Sequence, residues 1–500
     1  VPLDPRTPVL AGVGQLTHRP ARGDPATFTE PVALMASALA RAGEDAAGGG
    51  HRSALLDRVD ELTAIPGFVW SVADPALAAA TAAGVTPKAT RLGFVGATTP
   101  QRAVFDASLR IARGELDVAA IVGAEAVRSL RLAREAGVDA GWATQDDAVP
   151  SAPVVFDVPD ALTDHERACG LALPVTTYAL FESSLRRARG WSRREHLAVL
   201  DALSERQRAV ATTVDGAWLR DAAPTAASAP SVSNRMVTTP YTKLLASNVV
   251  VDMGAAVIVC SLAAARDAGV PEDRLVFPRA GAYGREQWFV STRRSLSTSL
   301  AMRACARALF GSAPPGPDEV ALLDLYSCFP SAVQMGADAL GLDLLADPRA
   351  PSVTGGMTYF GGPGNNYVTH ALATMVEQLR ARPGAVGLVT ANGWYASTHA
   401  WGTYSTAPPD GFRVHDVQQE VDAVDLLGAD DGYEGEAVVE AYTVAHDRDG
   451  TPTRVVAALQ TPAGARRLVA TDDTVLAAEV VDADPLAARV RVDDGRVRLG

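Results

Sequence analysis

Gly355-Gly356-Met357-Thr358-Tyr359-Phe360-Gly361-Gly362-Pro363-Gly364-Asn365-Asn366 is a glycine-dense loop that runs directly into a patterned segment. Glycines admit positive φ and carry no Cβ, so bare N–H groups in such a loop can be aimed at a carbonyl or phosphate oxygen. Behind the loop, Val368, Ala371, Leu372, Met375 and Leu379 recur at helical spacing and predict a helix with one apolar face. Pro383-Gly384 stops that helix. Val386-Gly387-Leu388-Val389-Thr390 then reads as a buried strand, ending at Ala391-Asn392-Gly393, a second place of close backbone approach.

A loop, helix and strand in the same order occur about 260 residues earlier, which points to a duplicated unit. Phe94-Val95-Gly96-Ala97-Thr98-Thr99-Pro100 precedes a helix with Val104, Ala107 and Ile111 on its inner face. Gly114 ends the helix, and Val118-Ala119-Ala120-Ile121-Val122-Gly123 is the strand that follows. Each half therefore offers one loop and one strand end to a shared centre.

The chain has 500 residues, 48% of them hydrophobic, enough to fill two or three cores. A net charge of -13 argues against general nucleic-acid binding, which draws on many phosphate contacts. The densest basic run is Arg186, Arg187, Arg189, Arg193 and Arg194 with Trp191 among them, either a solvated helix face or a local patch for an anionic ligand. Cys169, Cys260, Cys305 and Cys328 are widely spaced, fit no zinc pattern and read as reduced thiols of a cytoplasmic protein. The start, Val-Pro-Leu-Asp-Pro-Arg, lacks the features of a signal peptide. No apolar run reaches membrane-spanning length, since Asp252 interrupts the stretch near Val249–Val259.

Three parts are expected. Residues 1–265 form a first α/β half that opens with a strand at Pro8–Val13 and carries a helical excursion over about 128–245, with helices at Leu180–Arg189 and His196–Ala209. The stretch 222–232, rich in Ala, Ser and Pro, is expected as a loop, and Asp252–Ala256 as a turn into a strand at Val257–Val259. Residues 266–407 form the second half: a helix with Leu300, Cys305 and Leu309, a Pro/Gly loop, and a strand at Val320–Leu325 delivering Tyr326-Ser327-Cys328-Phe329-Pro330. Residues 408–500 read as a separate small β-barrel. Its strands fall at Val438–Val444, Val455–Leu459, Arg467–Ala470 and Arg489–Val492, with a hairpin turn at Asp447–Gly450.

These features resemble the thiolase superfamily, most closely its sterol-carrier-protein-type and acetyl-CoA acetyltransferase-like branches, over residues 8–407. The likeness rests on the order of loops and strands, Asp252-Met253-Gly254-Ala255-Ala256, the Cys-Phe pair of Tyr326–Phe329, Gly355-Gly356 with Gly361-Gly362-Pro363, and Asn392-Gly393. The tail resembles the OB-type barrels that accompany acyl-CoA enzymes, Glu440–His446 being its most characteristic run. The resemblance implies a duplicated, layered α-β-α-β-α thiolase fold with an OB-like C-terminal domain. It also implies carbon–carbon bond chemistry beside a CoA thioester, which serves as substrate or ligand, with no permanently bound cofactor and no metal. Relatives commonly dimerise, so a homodimer and a monomer are both open.

Thiolases use a nucleophilic cysteine, an activating histidine, an Asn or His, and a second cysteine, because a thiolate takes the acyl group while backbone amides hold the oxyanion. At the matching positions this chain has Thr98, Gly362, Tyr326 and Ala391. All four side chains are changed. A threonine hydroxyl with no adjacent base is a poor nucleophile, yet the amides of Thr98 and Gly393 depend on chain path alone. The candidate catalytic residues are Thr98, Tyr326 and His370, and Gly361, Gly362, Cys328, Asn392 and Gly393 are the candidate binding residues. Tyr359 is a further acid/base candidate or a packed tyrosine, and His399 is expected at the surface. The chemistry open to such a set is an altered acetyltransferase, a retro-aldol lyase on a CoA thioester, or a non-catalytic acyl-CoA scaffold.

Overall fold

The computed structural model describes residues 3–311, 316–493 and 496–499. The expected Pro/Gly loop at 312–315, Val1 and Pro2 of the amino terminus, and residues 494, 495 and 500 of the tail lie outside the described residues.

The first half runs β1 (Pro8–His18), α1 (Pro31–Ala46), β2 (Glu61–Ile65), α2 (Pro75–Ala83), β3 (Ala89–Gly93), α3 (Thr99–Ala112) and β4 (Val118–Ala126). The excursion follows with α4 (Val127–Ala136), β5 (Val154–Val155), α5 (Asp164–Ala168), α6 (Pro174–Arg189), α7 (Arg193–Ala211), β6 (Met236–Thr238) and β7 (Tyr241–Thr242). The chain returns as β8 (Asp252–Ser261) and α8 (Leu262–Asp267). The second half contains β9 (Phe277–Arg285), α9 (Leu300–Phe310), β10 (Leu322–Asp324), α10 (Pro330–Leu340), the one-turn α11 (Gly356–Tyr359), α12 (Tyr367–Arg380), β11 (Val386–Gly393) and β12 (Thr398–Ser405). The last stretch adds β13 (Arg413–Asp416), α13 (Gln418–Asp422), β14 (Gly435–His446), β15 (Pro452–Gln460), β16 (Arg466–Thr471), α14 (Thr474–Ala483), β17 (Arg489–Asp493) and β18 (Arg496–Leu499).

The duplication is explicit in the sheets. One is ordered β1-β8-β4-β2-β3-β5 and the other β10-β11-β12-β9-β13. The runs β2-β4-β8-β1 and β10-β11-β12-β9 match strand for strand, each with one parallel and then two antiparallel pairings. In each half the central strand is fed by a helix whose inner face packs between the sheets. Val104 and Ile111 of α3 meet Val368, Leu372 and Met375 of α12 in one core with Ile121, Val257 and Val389. The outer face of the first sheet is covered by α1 and α2, and that of the second by α9 and α10. Five layers result, α-β-α-β-α. Both faces of β4 and β8 are covered, which is why they read as continuous Val/Ala/Ile runs with no alternation.

Two local expectations change. Asp252–Ala256 is no turn: β8 is one strand from Asp252 to Ser261. The buried Asp252 carboxylate is tolerated at its start because it accepts from the amides of Arg128 (2.8 Å) and Ser129 (3.1 Å) and from the Ser129 hydroxyl (2.6 Å), at the beginning of α4. Beyond 408, β13 still pairs with β9 of the second half.

The C-terminal strands form a sheet of order β16-β15-β14-β17-β18, extended by β6 and β7 of the excursion, with Thr238 paired to Ala445. One of its faces makes a core with α14, and the other joins α6 through Ala441, Val456, Ala458 and Leu468. The basic run holds this junction. Arg186 forms a two-pronged ion pair with Asp484, Arg193 donates to Val481 O (2.9 Å), and Arg189 reaches Asp338 of α10 (2.7 Å) and stacks on Trp191.

Candidate functional site

The loops and strand ends of the two halves meet as the duplication predicts. Thr98, at the start of α3, places its hydroxyl 3.2 Å from that of Thr398, at the start of β12. A Cβ on Gly393 would lie 3.5 Å from the Ala97 amide nitrogen and 2.4 Å from Thr398 Oγ1, so a side chain there would displace the hydroxyl. Neither the Ala97 nor the Thr98 amide donates to another described residue. They stand at the N-terminus of a fourteen-residue helix, where free N–H groups and the helix dipole favour a partly negative oxygen.

Over this junction opens a cavity of about 500 Å³. Its wall takes Gly96 and Ala97 from the first loop, Gly362, Gly364 and Asn365 from the second, Tyr326 and Cys328 after β10, Asn392 and Trp394 at the end of β11, and Tyr178 from α6. Among the described residues, no Asp, Glu, His, Lys or Arg lines it. The titratable groups around its centre are all held in their neutral acid forms. Burial drives the Tyr326 and Tyr178 hydroxyls far above the ordinary tyrosine value and pushes the Cys328 thiol up to about 12.

Tyr326 rests edge-on against Tyr367, and its amide donates to Thr390 Oγ1 (2.8 Å), which fixes the segment leaving β10. Its own hydroxyl bonds no described residue, so it is free to bond a ligand. Tyr178 has the opposite situation. Its hydroxyl accepts from Ala396 N (2.9 Å) and Asn392 Nδ2 (3.0 Å) and donates to Trp394 O (3.0 Å). It thereby clamps a turn in which Trp394 (φ 57) and Ala396 (φ 53) are both left-handed, a strain concentrated at the cavity wall. Asn392 Oδ1 and Trp394 Nε1 remain buried without a partner.

Thr98, Tyr326, Cys328, Gly362, Asn392 and Gly393 are thus brought together. Two other candidates are not. Gly361 (φ 121) packs away from the cavity, with the position of a Cβ 2.6 Å from Met253 Sδ. His370 is fully buried between the sheets, its Nδ1 3.1 Å from Gln15 Oε1 and its ring edge-on to Phe360. Burial lowers its pKa to about 3, so it is neutral, and its placement does not support a catalytic role at this cavity. Tyr359 is a packed tyrosine bonded to Ser204 (2.7 Å). His399 is not at the surface: it sits in the interior strand β12, 3.1 Å from Ala396 O, with a pKa lowered to about 4 by burial.

Sequence reading missed Tyr178, which lies in a helix with no motif around it, and Trp394, whose only signal is its place after Asn392-Gly393. It also missed Glu125. That carboxyl ends β4 behind the cavity wall, accepts from the amide of Phe68 (2.6 Å), and is raised to about 7 by burial. Gly364 makes room for it, since a Cβ there would lie 2.5 Å from Glu125 Oε1. Among the described residues there is no His/Cys/Asp/Glu cluster fit to hold a metal, and no helix is long and apolar enough to cross a membrane.

The family model of the thiolase-like protein type 1 additional C-terminal domain matches residues 416–496. No curated protein sequence matches the chain. Among solved structures, a monomeric SCP2-thiolase-like protein type 1 from Mycobacterium smegmatis is 28% identical, with a TM-score of 0.82 over 100% of both chains. The Ltp2-ChsH2(DUF35) aldolase is 18% identical with a TM-score of 0.58, over 81% of this chain and 98% of that one. The dimeric peroxisomal thiolase of Saccharomyces cerevisiae is 12% identical with a TM-score of 0.54 at the same coverage. The chain has a thiolase-like fold, and its residues 416–496 match the model of the additional C-terminal domain of type 1 thiolase-like proteins.

Proposed function

We propose that this protein binds an acyl-CoA with its thioester in the cavity, and acts in carbon–carbon bond chemistry beside the thioester without forming an acyl-enzyme. The observation that carries this reading is the pairing of unbonded amides at Ala97 and Thr98 with a wall that holds no thiolate and no histidine. Such amides stabilise a thioester enolate as well as a tetrahedral oxyanion. Acyl transfer needs an activated nucleophile. Cys328 is a neutral thiol, and the partner of Thr98 is another threonine.

The reaction that suits these groups is retro-aldol cleavage of a β-hydroxyacyl thioester. The bond between the α and β carbons breaks, and its electron pair moves onto the thioester oxygen at the amides. The β-hydroxyl gives its proton to the Tyr326 oxygen while its O–H electron pair becomes the carbonyl of the departing aldehyde or ketone, and the proton Tyr326 held goes to the α carbon, so protons and electrons balance with no co-reactant. An altered acetyltransferase reaction is the alternative chemistry on the same fold. A second reading, binding without turnover, is favoured by the absence of any charged base from the wall. The monomeric relative supports a monomer for this chain.

Incubation with a panel of β-hydroxyacyl-CoAs tests the proposal. Cleavage by the native protein that Tyr326→Phe abolishes supports the lyase. Thiolysis of acetoacetyl-CoA abolished by Thr98→Ala overturns it in favour of acyl transfer. Tight acyl-CoA binding with no turnover of any thioester leaves a scaffold.

A further inference from the structure

An acyl-CoA whose thioester lies at Ala97 and Thr98 carries its phosphates at the far end of the pantetheine arm. The cavity wall, with no Lys or Arg among the described residues, offers those phosphates no cation, so they must meet one outside it. The mouth is marked by Leu173 and Val249, wall residues whose side chains are exposed. Val249 belongs to the segment that leaves the hairpin of β6 and β7; Ala246 and Ser247 of that segment and Val237 of the hairpin also line the cavity. The segment is fixed against the second half, since Ser247 Oγ donates to Cys328 O (2.8 Å) and the Asn248 amide to Met357 O (3.0 Å).

At the open end of the hairpin stand two cations, Arg235 and Lys243. Met236 pairs with Thr242 in an antiparallel register, and one step on, the Lys243 amide donates to Arg235 O (3.0 Å), so Arg235 and Lys243 face each other across the two strands. Side chains placed in this way begin about 5 Å apart, and like charges directly opposite destabilise the pair. No carboxylate relieves them. The Arg235 guanidinium donates to the carbonyl of its neighbour Met236 (3.0 Å), and the exposed Lys243 ammonium bonds no described residue. The nearby carboxylates of α7, whose Leu200 and Leu203 share a core with Leu245, are engaged elsewhere: Asp201 accepts from the Ser228 amide (2.7 Å) and hydroxyl (2.9 Å), and Glu205 from Arg208 (2.7 Å). An anion between Arg235 and Lys243 would remove the repulsion and give each cation its partner.

We propose that Arg235 and Lys243 form an anion site at the cavity mouth, and that it takes the phosphorylated nucleotide end of an acyl-CoA. The ligand's identity rests on the reading of the cavity given above; the anion site itself does not. Arg235 brings a planar fork and Lys243 a point charge on a long stem, a combination that suits a phosphate whose attached arm enters the cavity beside them.

The chain has two lysines, and the other, Lys88, is ion-paired with Asp60 (2.5 Å), which makes it an internal control. Limited acetylation of the native protein by acetic anhydride, read by peptide mass spectrometry, should modify Lys243. Adenosine 3′,5′-bisphosphate should protect Lys243 and leave the modification of Lys88 unchanged. In isothermal titration, Lys243→Gln should weaken octanoyl-CoA and the bisphosphate about tenfold each and leave octanoyl-pantetheine unchanged, Arg235→Gln should act in the same direction, and Lys243→Arg should keep most of the affinity. Lys243 holds no contact to lose, so its substitution should leave the melting temperature unchanged, and the protection assay needs no variant. Bisphosphate binding that protects Lys243 and depends on it sustains the site even where neither thioester binds, a result that sinks the cavity reading alone. Thioester binding with Lys243 unprotected and the bisphosphate indifferent to its substitution overturns the site and spares the cavity. Inorganic phosphate binding as tightly as the bisphosphate overturns the nucleotide assignment.

Discussion

The hydroxyls of Thr98 and Thr398 meet at 3.2 Å although 300 residues separate them, and they do so where the helix start of one half touches the strand start of the other. The contact belongs to the seam between duplicated units. Thr98→Val leaves Thr398 Oγ1 without this partner in a buried setting and should cost about 1–2 kcal/mol of stability. Urea denaturation measures it. If Thr98 is structural, Thr98→Ala should leave turnover of any active thioester within a few-fold of native.

Glu125 sets a pH dependence of known sign. Burial raises its pKa from 4.5 to about 7. A group raised in the folded state contributes stability that is complete below its unfolded pKa and is lost as pH rises through the folded one. Stability should therefore fall by roughly 3 kcal/mol between pH 4.5 and 7.5 from this residue. Asp324, raised to about 7 by the same cause, adds a fall of the same sign. Glu125→Gln should remove its own part, so denaturation curves of variant and native protein diverge as pH rises. Parallel curves would show that the carboxyl titrates normally.

Cys328 should be a poor thiol reagent target despite bordering the cavity. With its pKa pushed up to about 12, little thiolate exists at pH 8. Alkylation by iodoacetamide, followed by peptide mass spectrometry, should be slower by roughly a hundredfold or more in the folded protein than in urea. Rapid native labelling at pH 8 would revive a thiolate mechanism.

Arg186→Ala should loosen the C-terminal sheet. The guanidinium is buried against Asp484, which also accepts from the Tyr442 hydroxyl (2.7 Å), so truncation leaves a half-buried carboxylate short of its cation. A loss of about 2 kcal/mol is expected. Earlier proteolysis within 474–493 than within the thiolase-like halves would locate the damage.

Much of this architecture was legible in the chain because duplication repeats a spacing. The helix of Val104 and Ile111 and that of Val368 and Met375 were marked by periodicity, and each led to a strand end that reaches the cavity. Asn392, Gly393, Tyr326 and Cys328 were found that way. Asp252 misled because a charged residue inside a strand reads as a break until its partners at Arg128 and Ser129, over a hundred residues away, are known. His399 and His370 misled for a related reason: an uncharged imidazole is at ease in a core, and its neutrality is a product of burial that local sequence does not carry. Tyr178 was invisible because its role is made wholly by tertiary contact.

That tyrosine couples two regions mechanically. Its single hydroxyl engages Asn392, Trp394 and Ala396 from a helix of the excursion, and the same helix packs on the C-terminal sheet. A displacement of the tail that tilted α6 would load these bonds to the strained turn at the end of β11, so the seating of the tail and the shape of the cavity wall are linked through one side chain.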